Sequence, residues 1–263
     1  VIELGHPGSW SSMGSQGISL FNTNYADVHH IQITAKGEFS QRLDALKIQW
    51  NSTFSPTTIP ALGTPGVAVH DNEILLGVCR KAAFHLENDN NDLPETFEEG
   101  LETRADFGLV GIASRGATTW IYNNTIDAGT TMMSHAAGIF LENPYDRIFA
   151  PEQIENNIIV ATERSIINPP RRAGKRYGIV ALDAQTTPGL LKNNLFSPEL
   201  DYPYASFDAG EVYTDLSFED GVNFVGNWIE DPLFADPLSW DYTLLPDSLP
   251  VQQGIGVDLL TGS

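Results

Sequence analysis

Ile121-Tyr-Asn-Asn-Thr-Ile126 is followed by Ile154-Glu-Asn-Asn-Ile-Ile159, Leu191-Lys-Asn-Asn-Leu-Phe196 and Phe224-Val-Gly-Asn-Trp-Ile229. An earlier copy reads Val69-His-Asp-Asn-Glu-Ile74, and a degenerate one Val28-His-His-Ile-Gln-Ile33, with Ile31 in place of Asn. The frame is apolar, any, small or polar, Asn, any, apolar. Short apolar-flanked segments returning in one phase are the sequence signature of stacked coils. Asn tolerates the left-handed backbone of a sharp turn, and stacked amides can bond to the copy above and below. Asn72, Asn124, Asn157, Asn194 and Asn227 are therefore expected to form a structural ladder.

A second element recurs between the turns: a Gly-led alternating stretch at Gly17–Leu20, Gly108–Ile112, Gly138–Leu141 and Gly178–Leu182. One coil then holds a Gly-led strand, a loop, the strand entering the Asn turn and the strand leaving it. The ladder positions fall 52, 33, 37 and 33 residues apart. A bare coil needs only ~20–25 residues, so the surplus leaves the stack as loops, where such folds carry function. The largest surplus contains Glu87–Glu95 and runs on through Glu98, Glu99 and Glu102.

The chain has 263 residues, 34 acids against 14 Lys and Arg, and a formal charge of -20. That balance argues against nucleic acid as a partner, because phosphate binding needs a basic surface. It suits a salty or calcium-rich medium, or simple solubility. No apolar run approaches the ~18 residues of a membrane span. The chain opens on Val1 without a start Met or a signal-like segment, which reads as a processed or truncated end. Cys79 is alone in an apolar setting and reads as a buried thiol. Asn51 and Asn123 begin glycosylation sequons.

The tail Asp231-Pro-Leu-Phe-Ala-Asp-Pro-Leu-Ser-Trp-Asp-Tyr-Thr, continuing through Pro246 and Pro250 to Gly256, resembles the closing segment of secreted right-handed parallel β-helix proteins of the pectate-lyase-like superfamily. The likeness of the coils covers roughly residues 66–256. It implies an all-β fold: a single right-handed parallel β-helix over 1–263, with N-terminal coils in 1–65, regular coils in 66–230, and a last coil and cap in 231–263. Members of that superfamily usually close the N-terminal end with an amphipathic helix. None is readable before Gly17, so upstream sequence or another chain is expected to cover that end.

The superfamily holds lyases, hydrolases, epimerases and adhesins, so fold leaves activity open. Asn143-Pro-Tyr-Asp-Arg147 resembles the Asp-Pro-His-Asp motif of alginate C5-epimerase β-helices, with two of its four positions changed. That resemblance makes Tyr145, Asp146 and Arg147, assisted by Lys175 and Arg176 of the basic loop Arg171–Arg176, the sites of a carbohydrate-active alternative. A tyrosine can move the proton at a uronate α-carbon. A hydrolase would instead need carboxylates converging from adjacent coils, for which Asp127, Glu142 and Asp183 are candidates. Asp89, Asp92, Glu95 and Glu98 supply the oxygen ligands calcium prefers, without an EF-hand spacing. The six histidines show no zinc-type spacing, and the His29-His30 pair alone is not a site.

With no intact catalytic motif and a charge that opposes polyuronate substrates, the favoured expectation is a non-catalytic structural or adhesive β-solenoid. It would be extracellular or on the cell surface, contacting copies of itself heterologously through the basic loop and an acidic patch such as Glu95–Glu102, or contacting polysaccharide. It has no cofactor beyond calcium, no nucleic-acid partner and no membrane span. The alternative is a polysaccharide lyase, C5-epimerase or glycoside hydrolase.

Overall fold

The computed structural model describes residues 1–3, 15–21, 23, 26–39, 42–49, 66–82, 107–143, 152–164 and 174–255. The acidic stretch Glu87–Glu102, the turn residues Tyr145, Asp146 and Arg147, and Arg171 and Arg172 of the basic loop lie outside them.

Strands follow one another in fixed rotation through three sheets, named here by their place around the Asn turn. The entry sheet holds Ala26–His29, Val67–His70, Thr119–Tyr122, Gln153–Glu155, Leu190–Lys192 and Phe224–Val225. The exit sheet holds Ile2–Glu3, Gln32–Phe39, Glu73–Ala82, Thr125–Asp127, Ile158–Val160, Leu195–Phe196 and Trp228–Ile229, with Thr130–Met133 also paired to Glu73–Ala82. The return sheet holds Ser15–Phe21, Leu43–Gln49, Phe107–Arg115, His135–Glu142, Arg176–Ala181 and Tyr202–Ser206. Within each of these sheets, coil pairs with coil in parallel. The chain is all-β with mostly parallel sheets.

Parallel in-register pairing puts like residues on top of like. Val28, Val69, Ile121, Ile154, Leu191 and Phe224 make the inward column of the entry sheet. Ile33, Ile74, Ile126, Ile159, Phe196 and Ile229 make that of the exit sheet. Ile18, Leu46, Ile112, Ile139, Ile179 and Tyr204 make that of the return sheet. The three columns pack into one buried core. Each buried aliphatic side chain is worth ~1.5–3 kcal/mol.

The ladder is continuous. Each Asn Nδ2 donates to the Oδ1 of the next, Asn72 to Asn124 at 3.0 Å, Asn124 to Asn157 and Asn157 to Asn194 at 2.9 Å, and Asn194 to Asn227 at 3.0 Å. The backbone N–H of each Asn donates to the same oxygen. At the first coil, Ile31 contributes only its N–H, to Asn72 Oδ1 at 3.0 Å. The left-handed residue is not the ladder Asn but its predecessor: His30, Asp71, Asn123, Asn156 and Asn193 have φ of 54–55°, and Gly226 has 71°. Two jobs assigned to one residue are thus split between neighbours, one bending the chain and one bonding it.

The Gly-led element is shifted as well. Gly138 aligns with Gly111, not Gly108, because Ala137 and Ile139 pair with Val110 and Ile112. A Cβ on Gly111 would meet Ile126 Cγ2 at 2.7 Å, and one on Gly138 would meet Ile159 Cγ2 at 2.5 Å. Glycine lets the return sheet approach the isoleucine column opposite.

The tail does not plug the stack as expected. The plug is the segment before it. Phe218 enters the core against Phe196, Tyr204 and Phe224. Glu219 Oε1 takes both donors of Asn227, at 2.7 and 2.9 Å, and so ends the ladder. Glu211–Tyr213 pairs antiparallel to Tyr202–Ser206. Residues 231–255 instead fold back as a hairpin, Phe234–Asp236 with Asp241–Leu244, and a short helix Leu249–Gln253. They cover the outward side of the exit sheet, packing Phe234, Trp240, Tyr242, Leu244, Leu249 and Ile255 against Leu75, Ile158, Val160 and Leu195. Tyr242 donates to Asp127, and Arg164 pairs with Asp127 at 2.8 Å and stacks on Trp240 at 4.0 Å. An apolar outward face drew the tail sideways.

No helix among the described residues is long and apolar enough to cross a membrane.

Candidate functional site

On the entry sheet the residues alternating with the core column face outward, and among the described residues no strand or helix lies over them. One row runs His29, His70, Tyr122, Glu155, Lys192, Val225, and the next Asp27, Ala68, Trp120, Gln153, Leu190. All are half-buried or exposed. Neighbouring strands lie ~4.8 Å apart, so the rows present side chains at that repeat along the stack.

At its first coils the strip is a stack of rings. His29 lies on His70 with centroids 5.2 Å apart and planes 5° apart, and His70 lies on Tyr122 at 4.6 Å and 8°. Trp120 meets Tyr122 at 4.8 Å with a 42° tilt. The stacked rings turn their faces to one another, leaving their edges for a partner. His70 is held between two carboxylates: Nδ1 is 2.8 Å from Asp71 and Nε2 is 2.8 Å from Asp27. Partial burial, then the negative fields of Asp27 and Asp71, push the Tyr122 phenol above its usual range. The phenol is accordingly neutral at physiological pH, a hydrogen-bond donor to an acceptor on the partner. Lys192 brings a cation to the other end of the row. The arrangement can bind by aromatic edges, hydrogen bonds and charge.

The residues expected to serve a carbohydrate-active site are spread apart where they can be seen. Asn143 sits at the closing end of His135–Glu142, and its N–H donates to Asp183 at 2.7 Å. Glu142, buried, pairs with Arg115 at 2.5 Å. Lys175 and Arg176 sit at the opposite end of the return sheet, since Arg176 aligns with Ala136. Seven strand positions separate that alignment from Asn143, ~23 Å at the usual rise. Arg176 is engaged by Asp201, with Nε to Oδ2 at 3.4 Å, and Lys175 lies over Tyr202 at 5.4 Å. Arg176 thus serves the fold as a counter-charge, and Lys175 lies against an aromatic ring. Asp127 belongs to another face altogether, buried under the tail, so it does not converge with Glu142 and Asp183.

Among the described residues no group of three His, Cys, Asp or Glu side chains has the geometry to hold a metal ion. Asp89, Asp92, Glu95 and Glu98 are outside those residues. The strip was missed in the sequence although its signal is there. The second residue of every quoted hexad (His29, His70, Tyr122, Glu155, Lys192, Val225) is the outward row.

The chain matches no known family profile, no curated protein and no solved structure.

Proposed function

We propose that the chain is a single right-handed parallel β-helix that works outside the cell as a non-catalytic structural or adhesive solenoid, with the outward face of its entry sheet as the contact surface. The observation that carries this is the strip itself: polar, charged and aromatic side chains in register on a sheet face that no described element covers. A monomeric core needs no such row, and a sheet face rich in rings and hydrogen-bonding groups, with no described element over it, suits an interface. The acidic chain favours neutral polysaccharide or a protein surface over polyuronates. Calcium at Glu87–Glu102 is part of this reading as a weak extracellular site.

The test is adhesion of the purified full chain to immobilised neutral polysaccharides and to surfaces bearing the protein itself, compared with Trp120→Ala and Tyr122→Ala. Retention that falls on both substitutions is expected. Retention unaffected by either removes the strip from the account.

A second reading, a carbohydrate-active enzyme, draws on Glu142, Arg115 and Asp183 gathered at the closing end of the return sheet. Ultraviolet detection of unsaturated uronates, lost in Glu142→Gln, would favour a lyase over the adhesive reading.

A further inference from the structure

We propose that the entry-sheet strip pairs with the same strip of a second copy, face to face and with the two stacks antiparallel. This rests on reading the strip as a contact surface and names its occupant.

The argument is the order of charges along the rows. Asp27 and Asp71 flank His70 at the first two coils, and Lys192 lies at the fifth. Two like strips brought together in parallel would set acid on acid and Lys192 on Lys192. A two-fold axis lying in the interface along the strand direction reverses the coil order and keeps each row on itself. It passes between the Trp120–Tyr122 strand and the Gln153–Glu155 strand. Coil two then meets coil five, and coil three meets coil four.

The pairs that result are complementary throughout the middle of the strip. Lys192 comes opposite His70, its ammonium between Asp27 and Asp71. Tyr122 comes opposite Glu155, and the neutral phenol has a carboxylate to donate to. Trp120 comes opposite Gln153, and Ala68 opposite Leu190. Every contact occurs twice, as an isologous interface requires. Such a dimer closes, unlike the heterologous assembly expected from the sequence, whose basic and acidic partners lie outside the described residues except for Lys175 and Arg176.

Size sets the strength. Six strands ~4.8 Å apart and four residues deep at ~3.3 Å cover roughly 300 Å² per copy. A standard stable interface buries about 800 Å² per partner. The contact is therefore weak and reversible in solution, and gains from display of many copies on one surface. The formal charge of -20 opposes it at long range, but at ~0.15 M salt that repulsion is screened beyond about 8 Å.

Sedimentation velocity of the full chain over a concentration series tests this. A reversible monomer–dimer equilibrium is expected below ~1 mM. Lys192→Asp and Asp27→Lys, both at exposed positions, should each weaken it by about tenfold. An equimolar mixture of the two variants should recover dimer, because each supplies the charge the other now seeks. Thermal melts equal to the native chain's establish that both variants fold. A native chain that stays monomeric to ~1 mM, variants that associate like the native chain, or a mixture no better than its components would each overturn the dimer. Adhesion to polysaccharide that persists in a monomeric native chain would leave the contact-surface reading standing while the dimer falls.

Discussion

The exit and entry sheets flank the same turn and send alternate residues outward, yet one outer face is sealed by the tail and the other has no described strand or helix over it. The exit sheet turns out Leu75, Ile158, Val160 and Leu195 beside Asp127, and the tail lies over them. The entry sheet turns out His70, Tyr122, Glu155 and Lys192, and no described element lies over those. The backbone pattern is the same and the outward side chains differ: the apolar ones recruit the chain's own tail, and the polar and aromatic ones have no described element against them. The sealed face should thus be worth folding stability, and the entry face, with no described element against it, should contribute little.

The sharpest way to break this comparison is at the seal. Arg164 bonds Leu76 O at 2.8 Å, pairs with Asp127 and stacks on Trp240. Asp127 is wholly buried and also accepts the N–H groups of Gly129 and Thr162 at 2.9 Å. Arg164→Ala leaves that carboxylate buried without its cation, which costs about 3–5 kcal/mol. Urea unfolding should show the loss, and limited proteolysis should find the tail opened before the coils. A midpoint unchanged within error would mean that the tail rests on the sheet without holding it.

The next effect belongs to neither face. Glu152 is buried, and loss of hydration raises its carboxyl from an ordinary 4.5 to about 8. The sign follows from linkage: the unfolded chain releases this proton first. The fold keeps its full stability below pH ~4.5 and loses it as pH rises to about 8. One pH unit in that window is worth at most ~1.4 kcal/mol. Glu152→Gln should stabilise the chain by up to about 4 kcal/mol at pH 8 and by nothing at pH 4. Equal effects at both pH values would place the cost in packing rather than in the proton.

How much of this was legible depends on range. The hexads showed the parallel in-register strands and the ladder, because inward columns and the Asn turn repeat locally and are independent of loops. The split between bending and bonding residues was half visible: His30, Asp71 and Gly226 at the third hexad position vary in the way a left-handed site permits, while the fourth holds Asn from Asn72 to Asn227. The tail's path was not legible, since Tyr242 reaches Asp127 across 115 positions. A hint existed in Ile158-Ile159-Val160, three consecutive apolar residues buried on both sides, where a strand with one wet face would alternate. The strip was hidden by being the position where the repeat varies. Function was not readable because fold repeats and surface chemistry vary independently.

A smaller prediction concerns the tail's own geometry. Leu233 has φ of 55° and is partly exposed, although a branched side chain disfavours that region. Its N–H is held by Asp231 Oδ1 at 2.9 Å, and its carbonyl accepts from Leu245 at 3.0 Å. Leu233→Gly removes the Cβ conflict and should stabilise the chain by about 1 kcal/mol. A destabilised variant would show that the exposed leucine packs on a partner in solution.

The smallest effect on stability is expected on the entry face, and it carries the most information. His70→Ala removes two contacts to carboxylates and the ring between His29 and Tyr122. Asp27 is 58% exposed, so it regains water when the imidazole is gone. Pairs that keep one partner near water are worth roughly 0.2–1 kcal/mol, and the ladder beneath is untouched because it bonds through Asn72 and not through the row above it. Thermal unfolding of His70→Ala should thus stay close to that of the native chain, while adhesion or dimer formation falls. If instead His70→Ala destabilised the chain as strongly as Arg164→Ala, the ring stack would be a second structural ladder, outside the sheet as the asparagines are inside. The two faces would then differ only in what covers them.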